Sequence, residues 1–423
     1  MKQLEIMSPV GSYEALQAAF QAGTNSVYFG VEALNMRSHS AANFTIDDLK
    51  QIARLCHEKG VKCYLTVNTV LYDGDLPTMR NIIGAAVEAK ISAIIACDVA
   101  AMQYAFSRGM EVHLSTQLNI SNVEALKFYA QFADVVVLAR ELNLDQVAEI
   151  SRQIELQDIR GPKGNLVQIE MFCHGALCVS ISGKCYMSLH EMNASANRGA
   201  CMQVCRRAYS VKDIETGSDI ELTVDNQYIL SPKDLKTIHF INKMIDAGVT
   251  VFKIEGRARG PEYVYTVAQC YRQAIDAYLQ GEFSKDNDEA ISAKITAWDE
   301  RLARVFNRGF WNGYYLGQRL GEWTRHYGSN ATERKVYAGK GIRYYSNIGV
   351  AEFLIEAAEL HVGDKLLITG HTTGAMYVTL DEARVDLKPV DVVKKGAHVS
   401  FKVPDRIRPN DKLYIMQPTG IED

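Results

Sequence analysis

Five of the nine cysteines in this chain fall within residues 173–205: Cys173, Cys178, Cys185, Cys201 and Cys205. An even spread of nine over 423 residues would leave fewer than one in a window of that length, so random core usage does not explain the clustering. Gaps of six, fifteen and three residues separate Cys178, Cys185, Cys201 and Cys205. Thiolate is a soft ligand, and four of them make the ligand count of a 4Fe-4S cube. Structural zinc sites draw their cysteines in close knuckles of about two to four intervening residues, a spacing that only Cys201 and Cys205 match. The pattern therefore favours an iron-sulfur cluster, with zinc or unmetallated thiols as alternatives. Cys173 reads as a packing residue on a strand end. Cys56, Cys63, Cys97 and Cys270 sit in apolar helix or strand patterns, where a free cysteine is a small buried hydrophobe.

The elements that must position these thiols follow a repeating pattern. Apolar, β-branched runs at 4–7, 26–29, 61–67, 92–97, 111–114, 134–138, 167–172 and 249–254 alternate with stretches of helical periodicity. Eight strand-helix repeats with strands apolar on both faces are the pattern of a TIM-like (β/α) barrel, the alternative being an open doubly wound sheet. Polar residues recur just after the strands: Arg37, Asn68, Asp98, Ser115 and Gln117, Arg140 and Glu141, His174, Glu255 and Arg257. In barrels that end carries the chemistry. The connection at 173–248 is far longer than an ordinary βα loop and holds the whole cysteine cluster, so it reads as a functional insertion ordered by its metal.

Three units are expected: a barrel with its insertion at 1–257, a helical, basic and aromatic linker region at 258–330, and a small all-β barrel domain at 331–423. With 47% hydrophobic and 23% charged residues the composition is that of a globular α/β protein. No signal-peptide core opens the chain and no run of apolar residues reaches membrane-spanning length, which points to a cytoplasmic protein without membrane contact. Thiols in that compartment stay reduced.

A net charge of −4 gives no protein-wide field to recruit nucleic acid, so such contact needs a local patch. Residues 301–343 supply one, with nine Arg or Lys against Glu322 and Glu333. Phe306, Phe310, Trp311, Tyr314, Tyr315, Trp323 and Tyr327 lie among them and offer stacking surfaces for unpaired bases. The alternative is a solvated helix face beside an apolar seam between domains.

Glu170-Met-Phe-Cys-His-Gly-Ala-Leu-Cys178, followed by Ser182-Gly-Lys-Cys185-Tyr-Met-Ser188, resembles the signature of the collagenase-like peptidase family U32. Ser8-Pro-Val-Gly11, His113-Leu-Ser-Thr-Gln117, Ala139-Arg-Glu-Leu142, Ser231-Pro-Lys-Asp-Leu235 and Lys253-Ile-Glu-Gly-Arg257 extend the likeness over roughly residues 1–320. The β-rich tail is similar to that of the family's tRNA-hydroxylating branch. That resemblance implies oxygen-independent C5 hydroxylation of the wobble uridine of tRNA to 5-hydroxyuridine. It also implies prephenate or a related metabolite as hydroxyl donor, and a 4Fe-4S cluster on Cys178, Cys185, Cys201 and Cys205. Sister branches hydroxylate a ribosomal RNA cytidine or a quinone precursor.

Arg37, Arg140, Lys253 and Arg257 are then expected to converge on the donor's carboxylates, because guanidinium forks match carboxylates bidentately. His174, between a strand end and the first ligand, is the candidate for proton transfer, or else a core histidine satisfied by backbone. Proteolysis is the competing activity. His190-Glu191 opens like a zinc-protease helix, but Ala194 stands where the second histidine belongs, and no complete Gly-x-Ser-x-Gly elbow is present.

Overall fold

Strands that are apolar on both faces need cover on both, and a closed ring of strands wrapped in helices provides it. The computed structural model describes residues 4–38, 43–212, 221–222, 228–284, 288–319 and 321–421. Eight parallel strands close the ring: β1 (Glu5–Pro9), β2 (Ser26–Phe29), β3 (Lys62–Val67), β4 (Ala93–Ala96), β5 (Glu111–Leu114), β6 (Val135–Val137), β7 (Gln168–Gly175) and β8 (Val249–Ile254). Each pairs with the next in chain order, and β8 pairs with β1 to complete the barrel. The open-sheet alternative is thereby set aside.

Several of the helices begin where a side chain caps them. Ser12 accepts from Ala15 N at the start of Tyr13–Gln21, and Asn143 forms a reciprocal capping box with Gln146 ahead of Leu144–Leu156. Their apolar faces and the outer strand faces make one large core. Met7, Tyr28, Tyr64, Ile95 and Val251 form a second, separate cluster.

The barrel extends beyond the boundary expected at 257. Helix Pro261–Leu279 buries Tyr263, Val264, Val267 and Tyr271 in the barrel core, and Trp298 and Leu302 of helix Asp288–Arg304 join them. Region 258–330 is thus largely barrel wall rather than linker. The long insertion starts three residues later than the last apolar run suggests, because β7 continues to Gly175. There φ is +103°, and a Cβ would lie 2.3 Å from the Glu255 carbonyl oxygen, so the chain turns off the barrel at a position only glycine fits. Within the insertion, Asp234–Lys236 returns antiparallel to the end of β7 and pairs with Phe310–Trp311, while 213–220 and 223–227 lie outside the described residues.

From Glu333 the chain forms an eight-stranded antiparallel sheet with its own apolar core, including Phe353, Leu366, Ile368 and Leu413. It docks on the first barrel helix. Ala18 packs on Leu367 and Ala375, and the Gln21 amide donates to the Thr373 carbonyl (2.9 Å) and accepts from Ala375 N (3.1 Å). No helix among the described residues is long and apolar enough to cross a membrane.

Candidate active site at the barrel mouth

A cavity of about 250 Å³ opens at the C-terminal ends of the strands, and all four clustered cysteines line it together with Arg37, Arg140, Lys253 and Arg257. Eight of the nine site residues expected from sequence therefore face one space. The ninth, His174, does not. Alternation along β7 would send Glu170, Phe172 and His174 to the same face, but the pairing with β8 slips between Lys253 and Ile254 and sets Cys173 and His174 against a single step. The slip accompanies a reorientation of the imidazole, which packs against Tyr263, Tyr271 and Phe310 on the helix side. Its Nδ1 lies 3.4 Å from the Tyr271 hydroxyl, which donates to the Cys173 carbonyl, so Nδ1 carries the proton. Burial, then the Lys236 charge, push its pKa down to about 3. His174 is thus a neutral structural histidine, and the proton-transfer role expected for it has no access to the cavity.

The thiols are held by a loop tied down at several points. Arg206, next to Cys205, donates to the Leu177 carbonyl beside Cys178 (2.6 Å), which links the first and last of the four clustered cysteines. Met202 N donates to Ser188 Oγ, Asn119 donates to the Ser182 carbonyl, and Arg198 forms a two-pronged ion pair with Asp75. Cys178 is exposed, the other three are half-buried, and all are free. Burial and the nearby Cys178 and Cys201 push the Cys185 thiol up; Cys205 is also raised, by burial first, against the lowering pull of Arg206. The four thus sit within electrostatic range of one another. Among the described residues no three metal-ligating side chains converge closely enough to be recognised as a metal site.

The cations around them are unequally matched. Arg37 donates to Glu255 at 2.9 Å, and Lys253 donates to the buried Glu170 at 2.6 Å. Burial alone would raise the Glu255 carboxyl, but Arg37, Arg257 and Arg140 outweigh it and hold it at about 2. Among the described residues Arg257 donates to Asn35 Oδ1 and Thr66 Oγ1, in a space that a Cβ on Gly30 would close. Arg140 lies over the Phe172 ring and donates to the Ala176 carbonyl. Nε of both arginines is buried without a partner. Three further arginines that were not picked out for this site also line it: Arg206, Arg259, and Arg308, which pairs with Asp234. Arg206 directly follows Cys205 and Arg259 follows Arg257 by two, but only the fold brings Arg308 back to the rim. Seven cationic side chains thus meet three contacting carboxylates, Glu255, Glu170 and Asp234. Such an excess is a site for anions. Asn68, Ser115 and Gln117, bonded to one another, form a polar wall able to hydrogen-bond a planar ligand.

A cation-lined mouth and a thiol-rich loop on a closed ring of eight strands define a protein of the (β/α)-barrel class. The chain belongs to peptidase family U32, which it matches over residues 11–325. It is 64% identical to a protein named collagenase from Porphyromonas gingivalis over 98% of both chains. It is 32% identical to tRNA hydroxylation protein P1 of Bacillus subtilis over 75% of this chain and 72% of that one. It is also 35% identical to the 23S rRNA 5-hydroxycytidine C2501 synthase of Escherichia coli, over 76% of this chain and 46% of that one.

Proposed function

We propose that this protein is an iron-sulfur hydroxylase of RNA that installs 5-hydroxyuridine at the wobble position of tRNA, with prephenate or a related carboxylate as hydroxyl donor. One observation carries the reading: four cysteines and an excess of cationic side chains over carboxylates face the same cavity. A bound 4Fe-4S cluster, held by Cys178, Cys185, Cys201 and Cys205, would supply redox chemistry there. Arg257 and Arg140, with no carboxylate of their own, bind the donor; Arg37 and Lys253 are steadied by Glu255 and Glu170 and set its orientation. The Asn68, Ser115 and Gln117 wall holds the edge of the base. Relatives named for tRNA and rRNA hydroxylation support the RNA substrate.

The collagenase-named relative favours a peptidase instead. A peptidase working at this cavity needs a base beside a nucleophile or a metal-bound water. Among the described lining residues there is no histidine, and the one carboxylate, Glu255, is tied to Arg37 and held at about 2, too low for a general base near neutrality. The test is anaerobic reconstitution with iron and sulfide, incubation with unmodified tRNA and prephenate, and nucleoside analysis of the digest. 5-Hydroxyuridine that depends on all three components supports the proposal. Absence of any hydroxylated nucleoside alongside cleavage of a collagen peptide would replace it with the peptidase reading.

A further inference from the structure

A second, larger concavity of about 710 Å³ lies between the barrel helices Pro261–Leu279 and Asp288–Arg304 and the C-terminal sheet. Five cations line it, Arg301, Arg304, Arg334, Lys335 and Lys365, against Glu262 and Glu333. Lys335 is matched by Glu262 at 2.8 Å, while Glu333 lies about equally far, at 3.9 and 4.0 Å, from Lys365 and Arg304. Arg301 is held in place by neutral side chains, Gln269 and Gln273, so its charge is positioned without being cancelled. The groove therefore carries about three unmatched positive charges. Its aromatic side chains are Tyr265 and Tyr377, with rings 6.2 Å apart, and Phe306.

Phe306 joins this groove to the cavity at the barrel mouth. Its ring lies under the Arg259 guanidinium at 3.3 Å and near that of Arg308 at 5.0 Å, and both arginines line the cavity. Cations along a groove with aromatic rings among them make the surface on which single-stranded nucleic acid binds: phosphates meet the charges and bases stack. An acidic peptide would use the charges but leave the rings idle.

We infer that this interdomain groove binds the single-stranded RNA segment flanking the nucleotide that enters the cavity, an assignment that rests on the RNA-hydroxylase reading above. Trp311 and Tyr315, grouped by sequence with the other aromatic residues of 301–343, are buried and take no part; Tyr265, Lys365 and Tyr377 come from outside that stretch.

The experiment uses the full chain and a short, fluorescently labelled, uridine-rich single-stranded RNA, with affinity followed by anisotropy over a range of salt concentrations. Arg334→Gln combined with Lys365→Gln is expected to weaken binding roughly tenfold and to make the plot of log affinity against log salt shallower by about 1.4, since each single-strand phosphate contact contributes about 0.7. Tyr377→Ala is expected to weaken binding with little change in slope. Both sites are exposed, and an unchanged Tm confirms that the variants fold. Unaltered affinity and slope in the double variant, absence of RNA binding by the unsubstituted chain, or equal competition by a polyglutamate peptide of the same length would each overturn the groove. RNA that binds through these residues but is never hydroxylated would instead leave the groove standing and sink the activity.

Discussion

Lys253 Nζ lies 2.6 Å from Glu170 Oε1 at the heart of the barrel, both side chains almost wholly buried, so the most deeply placed cation of the cavity is already half of an ion pair. Glu170 also faces His113, whose Nδ1 is 3.8 Å from its second oxygen. Removing the carboxylate alone leaves a buried ammonium with no countercharge, an arrangement that costs about 3–5 kcal/mol. Glu170→Gln is therefore expected to destabilise the protein by that amount in denaturant unfolding at neutral pH. The double variant Glu170→Gln with Lys253→Met should recover most of the loss. Equal destabilisation by single and double variants would mean that the pair is not the source.

Arg257 and Arg37 both hold the Glu255 carboxyl down but differ in what they have free. Arg37 is committed to that carboxylate, whereas Arg257 contacts only neutral oxygens. Arg257→Lys keeps the charge and loses the fork, so the KM for a dicarboxylate donor should rise on the order of tenfold to a hundredfold. Arg37→Gln should instead release Glu255 from the largest influence holding it near 2, which raises that carboxyl and adds a protonation step to the acid limb of the activity profile. Steady-state kinetics with the donor varied, repeated across pH, separates the two.

His174 offers a prediction about stability rather than turnover. Its folded pKa is depressed to about 3, below an unfolded value of about 6.5. Below the unfolded value the denatured chain takes up a proton that the native chain refuses, so this contribution is complete above about pH 6.5 and is lost progressively as pH falls toward 3. His174→Phe is expected to flatten that acid loss, measured as Tm against pH on the cluster-free protein, and to leave donor KM unchanged. A tenfold loss of kcat with an unchanged stability profile would return the residue to the chemistry.

The strands were legible because a parallel sheet covered on both sides is apolar on both faces, as Ile94 to Ala96 are, and their count of eight favoured a closed barrel over an open sheet. The cysteines were legible because clustering of a reactive residue type survives without knowledge of the fold. What escaped depends on single-residue events or on long-range return of the chain. One extra residue in β7 turns His174 outward, and no local composition marks it. Arg308 reaches the cavity only because Phe310–Trp311 pairs with Asp234–Lys236, a contact between segments more than seventy residues apart. Trp311 and Tyr315 read as stacking platforms beside basic residues, yet Tyr315 donates to the Phe172 carbonyl from inside the core.

The proposed ligation by the four thiols makes the sharpest demand on the chemistry. Cys185 and Cys205 both have raised pKa values, so in the metal-free protein they are protonated near neutrality and binding must displace those protons. Uptake of iron and sulfide should therefore weaken as pH falls from about 8 to 6. Serine at any one of Cys178, Cys185, Cys201 or Cys205 should cut iron and acid-labile sulfide content and the visible absorption severalfold under anaerobic reconstitution. Cys173→Ser is the control of equal chemistry: its thiol is buried, points at the Lys253 carbonyl rather than into the cavity, and its replacement should leave iron content intact. Equal retention of iron in all five variants would detach the metal from these ligands, and zinc with no sulfide in the unsubstituted protein would assign the thiols to a structural ion instead.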